Sequence, residues 1–536
     1  MRFDLKHCTE WAVALSFDDI PTAVVEDAKN QILSMLTAIM FGYASPQGHQ
    51  ISNAYSNSRP LPAPDNDGAW SDPAGMAYLL STWSMVHDFD DVMLGGHTGH
   101  SSVIVPLIMA WNQTASSGRD IIVAQVVANE LAARFNIACA LGQTRGQMAS
   151  YLHLLGAAIA RAKFLGMDAE QLSQVIAFTL ASPGKLSMPA FLGSDCKFYC
   201  ASNAVRVGWE AVDCVRAGLR PTRDIIDGPS GFFNSHAPGA RADVMNDLGQ
   251  QWYTSTNSYK LYPICGYISA PLDCALEIVQ SNAINPDEIA RVVLEANMFT
   301  CGVERLSQRY LQGADSSIAT LTFSPSFALA SALIHGEFTP RNLQPQRLVD
   351  SRQWQLREKI EIRHSMKQTT EALFKGIPTG VMLSRAPWKA ARGFLHNFNN
   401  LVFAKGGRLQ HWGRKFELWL NWWRTRNTSS DNIAELTKPL GCRLKVILRD
   451  GREFLAEQRI PRGFAGNGDT TSTRALLREK YFHAAEPLLD EQTTQHCLSI
   501  IERLEHVSGR ELDRLNSLCF PNIDSLSKES PKWQSI

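Results

Sequence analysis

The sequence predicts a mainly α-helical protein with an α+β second domain. Apolar residues recur at helical spacing through most of residues 20–220, which indicates one helix after another. Near residue 288 the pattern changes to the two-residue period of strands, and at about residue 473 it becomes helical again. We therefore expect interleaved strands and helices in the middle of the chain, and a C-terminal tail that completes the first, all-helical domain.

Boundary signals locate individual helices. Asp72-Pro73 offers an N-cap followed by proline at the first helical position, and Pro21 opens an amphipathic run that Gly42 is expected to close. Further helical runs cover residues 119–141, 150–165, 168–182 and 202–217, the last closed by Gly218. Together these runs predict an all-helical N-terminal domain.

The α+β part is marked by alternating apolar residues and by turn signals. Strands are predicted over residues 290–296, 357–364, 444–448 and 453–457. Asp450-Gly451 is a hairpin signal between the last two, and Ser324-Pro325 begins a helix that Gly336 ends. The predicted domains are 1–275 (helical), 276–470 (α+β) and 471–536 (helices that complete the first domain).

Composition limits the classes of partner. The 536 residues contain 52 Lys plus Arg and 52 Asp plus Glu, so no net charge attracts the chain to nucleic acid or to an anionic membrane. The hydrophobic fraction of 45% and the charged fraction of 19% are typical of a folded globular protein. Small neutral or anionic metabolites are the expected partners.

Neither a targeting segment nor a cysteine framework is evident. The first residues include acidic side chains, and no run of about 18 apolar residues occurs, which predicts a cytoplasmic protein without an integral membrane segment. The 11 cysteines are scattered without CxxC pairs, so we expect no disulfide framework, no zinc ribbon and no metal site.

One segment fits neither domain pattern. Residues 385–428 combine many Lys and Arg side chains with several Trp and Phe residues and one acid, Glu417. Such a stripe could bind a membrane surface or nucleic acid. An insertion whose aromatic residues dock on its own domain, with the basic groups in solvent, is the favoured interpretation.

The most informative stretch is residues 87–106, HDFDDVMLGGHTGHSSVIVP. It places six ionisable side chains, three of them His and three Asp, between two apolar runs. The acidic cluster follows a buried helix, where the negative end of the helix dipole disfavours carboxylates unless a cation, a donor or a catalytic role compensates. Proton chemistry is therefore expected here, although Asp, Gly and His are also ordinary loop residues.

Three more stretches join this one in a family pattern. They are FLGSDCKFYCASNA (191–204), IIDGPSGFF (225–233) and KLYPICGYISAPLD (260–273). Together with HDFDD and GHSSVIVP they resemble the MmgE/PrpD family, which includes 2-methylcitrate dehydratase, cis-aconitate decarboxylase and iminodisuccinate epimerase. The resemblance implies an α+β lid inserted into the helical domain, a homodimer, and an active site in the cleft without metal or organic cofactor.

The resemblance also assigns roles to single residues. Asp88 matches the family's active-site aspartate, Lys197 its lysine, and His100 its histidine, with His97 as the competing choice. A histidine titrates near neutrality, so either histidine could be the base, with Asp88 orienting it or holding a substrate hydroxyl. Substrate contacts are expected from a further set of side chains, namely Ser269, Lys260, Tyr262, Asp91 and Tyr199.

Two positions depart from the family pattern. Val92 stands where threonine is common, and Ser269 stands where the family carries a catalytic histidine. Serine can hold a carboxylate but cannot titrate usefully, so two-sided proton transfer becomes harder. The sequence thus predicts a cofactor-independent lyase, first a dehydratase of a 2-methylcitrate-like or alkylcitrate-like polycarboxylate. The alternatives are a decarboxylase of cis-aconitate type, an isomerase or epimerase of a small dicarboxylate, and a non-catalytic binding or scaffold protein.

Overall fold

The computed structural model describes residues 4–65, 69–113, 116–140, 149–184, 186–237, 240, 242–373, 433–468, 470–509, 511–512 and 515. Most of them are helical, and a small mixed sheet occupies a separate region, which confirms the predicted fold class. The basic aromatic segment predicted at 385–428 lies outside the described residues.

The helices of the N-terminal part run from α1 to α13. They are α1 (Leu5–Ala14), α2 (Thr22–Tyr43), α3 (Pro46–Ser56), α4 (Pro73–Ser84), α5 (Gly99–Ser102), α6 (Ile104–Trp111), α7 (Gly118–Ala140), α8 (Ala149–Phe164), α9 (Ala169–Leu180), α10 (Met188–Gly193), α11 (Tyr199–Arg216), α12 (Asp224–Asp227) and α13 (Phe232–His236). A 3₁₀ turn, Asp195–Phe198, leads directly into α11.

The remaining helices and the strands follow. The helices are α14 (Ser269–Ser281), α15 (Met298–Ser307), α16 (Ile318–Leu321), α17 (Pro325–His335), α18 (Pro345–Leu348), α19 (Ser351–Arg357), α20 (Met366–Glu371), α21 (Thr470–Ala485) and α22 (Glu491–Glu502). The strands are β1 (Asp91–Val92), β2 (Ser258–Tyr259), β3 (Ile289–Ala296), β4 (Ile360–His364), β5 (Cys442–Leu448) and β6 (Glu453–Gln458).

Several predicted boundary signals act as expected. The Asp72 side chain accepts a hydrogen bond from the Gly75 amide at 2.9 Å, and it is followed by proline at the start of α4. Gly218 and Gly336 follow α11 and α17 with φ angles of 90° and 71°, a region that glycine enters without steric cost.

Gly42 does not end α2, so that prediction is wrong. The helix continues to Tyr43, and a Cβ atom at Gly42 would lie 1.9 Å from the carbonyl oxygen of Trp83 in α4. Glycine at this position therefore allows α2 and α4 to pack closely; it is not a stop signal.

Two other boundaries differ from the prediction. Helix α11 begins at Tyr199 rather than near 202, because it continues the preceding 3₁₀ turn. Strand β4 begins at Ile360 rather than at 357, because Arg357 is the last residue of α19.

Both ends of the described chain contribute to one helical core. Many of its buried apolar side chains come from helices α2, α4, α7 and α8. The same cluster contains three buried residues from α21 and α22, namely Leu477, Tyr481 and Ile501. Since α2 packs against both α4 and α21, the C-terminal helices lie next to the N-terminal ones. The three domain boundaries given above remain predictions.

A second core surrounds the four-stranded sheet. Its strand order is β4-β3-β5-β6, with β3 parallel to β4 and antiparallel to β5. Leu444 and Val446 of β5 are fully buried in one cluster with apolar residues of α14 and α17, as the two-residue alternation in the sequence requires. This cluster begins in the chain at Leu192 and continues from Tyr262 onward.

A short antiparallel pair fixes the site. Strand β1 pairs with β2 so that Asp91 lies opposite Tyr259 and Val92 opposite Ser258. This register places the acidic stretch that follows α4 beside Lys260, although about 170 residues separate them in the chain.

One described helix passes a length and hydropathy test for a membrane span. It covers Gly118–Cys139 within α7, and 94% of its apolar window is buried inside the protein. In this structure its apolar side chains pack in the helical core.

The Leu477→Ala variant tests the contribution of α21 to the helical core. Leu477 is completely buried, so removing its isobutyl group should lower the free energy of unfolding by about 2–5 kcal/mol. Leu455→Ala is the matched control, because Leu455 on β6 is 52% exposed. Urea denaturation that shows equal, small losses for both variants would contradict this packing.

Candidate active site

The loop that follows α4 carries the acidic residues and has little regular structure. We call residues 85–92 the carboxylate loop. Asp88 has a φ angle of 53°, and it is the one non-glycine residue with positive φ in the part of the chain that the structure describes. This conformation costs an aspartate about 1–2 kcal/mol, and such strain is concentrated at functional sites.

Two buried lysines hold Asp88. The Lys197 Nζ lies 2.8 Å from one Asp88 carboxylate oxygen, and the Lys260 Nζ lies 2.8 Å from the other. Both lysine side chains are fully buried. Lys197 comes from the 3₁₀ turn before α11, and Lys260 directly follows β2.

Asp90 is the centre of the cluster. One of its oxygens accepts from Lys260 Nζ at 2.6 Å. The other lies 2.6 Å from His97 Nδ1 and 3.0 Å from His100 Nε2. The sequence interpretation gave Asp88 the role of orienting the histidine or of holding a substrate hydroxyl. In the structure Asp90 contacts the histidines and Asp88 lies between the lysines, so the hydroxyl contact of Asp88 remains a prediction.

The tautomer of His97 follows from its partners. Its Nδ1 also lies 3.1 Å from the backbone oxygen of Asp91. A carbonyl oxygen only accepts, so Nδ1 carries the proton, and in the neutral ring Nε2 then holds the lone pair. The His97 side chain is 32% exposed, whereas that of His100 is 2% exposed. His97 is therefore the histidine that can exchange a proton with a bound molecule.

His100 is an interior residue of the cluster. Its Nδ1 lies 2.7 Å from the Ser84 hydroxyl, which can also donate to the Ser81 carbonyl oxygen at 2.9 Å. The His153 ring meets it edge-on with 5.3 Å between centroids. Burial lowers the pKa of His100 and lowers the pKa of His153 further. Both rings are therefore neutral at physiological pH, and His100 supports Asp90 from behind.

The charges in the cluster stabilise one another. Burial alone would raise the pKa of Asp88, but Lys197 and Lys260 lower it to about 2. Burial likewise opposes the charged form of Lys260, and Asp88 with Asp90 raises its pKa above the usual value. Asp88, Asp90 and Lys260 are therefore ionised at neutral pH.

Asp91 differs from its two neighbours. One of its oxygens accepts from Gln31 Nε2 at 2.8 Å, and the other has no hydrogen-bond partner among the described residues. Burial, followed by the charge of Asp90, raises the pKa of Asp91 to about 6. Asp91 thus faces α2, and its assignment to substrate binding remains a prediction.

Ser269 is buried at the start of α14. Its hydroxyl oxygen has no hydrogen-bond partner among the described residues. The preceding turn approaches the cluster, because a Cβ atom at Gly266 would lie 3.9 Å from Lys260 Cε. Substrate binding by Ser269 remains a prediction.

The two tyrosines lie elsewhere. Tyr262 donates to Asp273 at 2.8 Å, inside the second core. Tyr199 lines a separate cleft of about 290 Å³, together with Tyr55 and Tyr78. The structure therefore does not bring either tyrosine to the carboxylate loop, and their contacts with substrate remain predictions.

Sequence reasoning missed the supporting residues. Asp90 was visible in the HDFDD stretch, but no catalytic or substrate-binding role was predicted for it. Lys438 and Lys480, which contact the loop from distant parts of the chain, carried no local signal at all.

The described residues contain no group of three His, Cys, Asp or Glu side chains that could hold a metal ion.

Comparison with known proteins identifies the family. Residues 6–245 match the MmgE/PrpD N-terminal domain, and residues 262–377 match the MmgE/PrpD C-terminal domain. The chain belongs to the MmgE/PrpD family. Five of the clustered residues (Asp88, Asp90, His97, His100 and Lys197) lie within the matched N-terminal domain.

Curated MmgE/PrpD relatives are distant. The chain is 24% identical over 289 residues to a cis-aconitate decarboxylase of Aspergillus terreus. The aligned region covers 50% of this chain and 59% of that protein. It is 23% identical over 392 residues to the cis-aconitate decarboxylase-like protein oryM of Aspergillus oryzae, covering 66% and 78% respectively. The chain therefore spans about three fifths of the length of the first relative, and these similarities support a lyase type of function.

The Asp91→Asn variant tests the electrostatics of the loop. Because its pKa is raised to about 6 in the folded protein, from about 3.9 in an unfolded chain, Asp91 binds a proton more tightly when folded. As the pH rises from 4 to 6, the free energy of unfolding of the wild type should therefore fall by on the order of 2–3 kcal/mol relative to that of the variant. Urea denaturation across this range measures the difference.

Asp88→Asn is the matched control for that series. The folded pKa of Asp88 is lowered to about 2, so its contribution is present above the unfolded value of about 3.9 and is lost only below it. The pH 4–6 slope of this variant should equal that of the wild type. If Asp91→Asn leaves the slope unchanged as well, Asp91 does not titrate as the structure indicates.

Proposed function

We propose that the protein is a lyase that acts on a small polycarboxylate by proton transfer from its own side chains, and that decarboxylation of an unsaturated acid of the cis-aconitate type is its reaction. The observation that carries the proposal is the His97 geometry. Asp90 and the Asp91 carbonyl hold the Nδ1 proton, which leaves Nε2 of this 32% exposed side chain as the nitrogen that would exchange a proton with a substrate.

The two lysines can bind a carboxylate. An ammonium group has three N–H donors. Lys197 uses two on Asp88 and on the Met85 carbonyl oxygen, at 2.8 and 3.0 Å. Lys260 uses two on Asp88 and Asp90. Among the described contacts each lysine therefore keeps one donor, and these donors would hold substrate carboxylates with charge-assisted bonds.

Decarboxylation needs one proton donor. The bond between the substrate carbon and its carboxylate breaks, carbon dioxide leaves, and the electron pair stays as an allylic carbanion that the neighbouring carboxylate delocalises. Lysine cations stabilise that charge, and protonated His97 gives its Nε2 proton to the carbon. Asp90 stabilises the imidazolium beforehand, and solvent returns the proton afterwards. One accessible histidine, His97, is sufficient for these reaction steps.

Dehydration is the second candidate. It needs a base for the proton next to a carboxylate and an acid for the departing hydroxyl. His97 could be the base, and the remaining N–H of Lys197 could protonate the hydroxyl. Ser269 supplies no second titrating group, which is why decarboxylation is favoured over the dehydratase that the sequence first suggested.

A panel of substrates in deuterated water tests the proposal. The wild-type protein is incubated with cis-aconitate, citrate, 2-methylcitrate and related unsaturated acids, and NMR follows the products. We expect release of carbon dioxide and one deuterium on the protonated carbon. Loss of water would support dehydration, exchange without net change would support isomerisation, and silence over the panel would support a binding protein.

Replacement of His97 tests its role as the proton donor. His97→Asn should lower kcat by about 10²–10⁴-fold, the usual contribution of general acid or base catalysis, with little change in the free energy of unfolding. His506→Asn is the control, because His506 is 68% exposed on the surface. Full activity of His97→Asn, measured on whichever acid the wild type consumes, would contradict the assignment.

A further inference from the structure

Carbonyl oxygens of the carboxylate loop bind side chains from distant segments. Lys197 donates to the Met85 oxygen at 3.0 Å, Lys480 to the Phe89 oxygen at 2.6 Å, and Lys438 to the Val92 oxygen at 2.5 Å. A loop without regular secondary structure leaves its carbonyl groups without partners, and buried carbonyls need donors. Here lysines supply them, at three points spread along the loop.

Lys480 contacts the loop between its two catalytic carboxylates. It lies on α21, is 5% exposed, and its Nζ also sits 3.9 Å from the centre of the Phe89 ring and 3.5 Å from the Ser34 hydroxyl. Within the described part of the chain no carboxylate is bonded to its Nζ. Phe89 separates Asp88 from Asp90, so a bond to its carbonyl oxygen restrains both neighbours.

Lys438 contacts the other end of the loop. It lies just before β5, in the part of the chain that forms the sheet, and its side-chain Nζ donates to the Val92 oxygen in β1. The two lysines therefore reach one loop from two separate regions, across 391 and 346 residues of sequence. Among the described residues neither Nζ is bonded to a carboxylate, and burial lowers the pKa of each lysine to about 7.

An uncompensated buried cation is costly, so a structural role alone would be served better by a neutral donor. The charges of Asp90 and Asp91 favour the protonated form of Lys480, and that of Asp91 favours the protonated form of Lys438, so each ammonium group is matched to the loop that it contacts. The strained Asp88 conformation also needs a surrounding structure that enforces it.

We propose that Lys480 and Lys438 are positioning residues, which clamp the carboxylate loop by its Phe89 and Val92 carbonyl oxygens and thereby set the geometry of Asp88 and Asp90. Their effect on loop order stands alone, whereas their effect on turnover rests on the function proposed above. Lys480 ties the site to the C-terminal helices, and Lys438 ties it to the sheet region.

Lys480→Met and Lys438→Met test the clamp. Methionine keeps most of the side-chain volume and removes both the donor and the charge. Hydrogen–deuterium exchange followed by mass spectrometry should show at least about tenfold faster exchange in peptides that cover residues 86–92. On an acid that the wild type consumes, kcat should fall about tenfold or more, with KM within about twofold.

Lys29→Met is the matched control. Lys29 is equally buried on α2, but it binds Glu505 and the Glu502 carbonyl oxygen, away from the loop. It should destabilise the fold without faster exchange in residues 86–92 and without a change in kcat.

The outcomes separate the two proposals. Loop exchange in both clamp variants that is no faster than in Lys29→Met would overturn the clamp, and faster exchange with unchanged kcat would overturn the positioning role in turnover. If Lys480→Met does not fold, Lys438→Met decides alone. If the wild type consumes no acid of the panel, the proposed function fails, and the exchange of residues 86–92 still decides whether the loop is clamped.

Discussion

The site depends on a buried network of alternating charges, in which Lys197 bonds Asp88, Asp88 bonds Lys260, and Lys260 bonds Asp90. Each of these ions would be strongly disfavoured alone in the interior, and removing one partner typically costs 3–5 kcal/mol because it leaves an uncompensated charge. The network therefore forces four side chains from three parts of the chain into one arrangement. The imidazole rings of His97 and His100 join the network through Asp90. The geometry of the candidate site and its internal charge balance therefore depend on the same contacts.

The fold brings these three parts of the chain together. The helical core positions α4 and the turn before α11, which carry the carboxylate loop and Lys197. The β1 and β2 pair then sets Lys260 beside the loop, at the point where the chain passes from the helical core to the second core. A two-residue strand pair has little stability of its own. Its register is maintained here by the ion pairs of Lys260, which directly follows β2, with Asp88 and Asp90.

Sequence patterns predicted what depends on neighbours in the chain. The start of α4 at Asp72, the αL glycines after α11 and α17, and the alternation of β5 all follow from local rules. The motif resemblance likewise placed Asp88, Lys197 and the histidines at a common site. Gly42 misled because a close helix contact and a stop signal require the same residue type.

The remaining features depend on contacts that spacing does not encode. Which aspartate faces the histidines is decided by the turn of the backbone at Asp88, where φ becomes positive. The contacts of Lys438 and Lys480 join segments more than 340 residues apart, so no local pattern could indicate them. Closeness in the chain is also a weak guide to a shared site: Tyr199 lines a cleft with Tyr55 and Tyr78, whereas Lys197, two positions earlier, bonds Asp88.

Asp90 fixes His97 as the Nδ1–H tautomer with a free Nε2, and the proposed proton transfer depends on that tautomer. Nitrogen NMR of protein labelled with ¹⁵N-histidine measures this directly, with the His97 signals assigned by their loss in His97→Asn. At a pH where the ring is neutral, we expect a protonated, pyrrole-type Nδ1 and an unprotonated, pyridine-type Nε2, and a loss of that preference in Asp90→Asn. A protonated Nε2 in the wild type, or an equal mixture of tautomers, would contradict it.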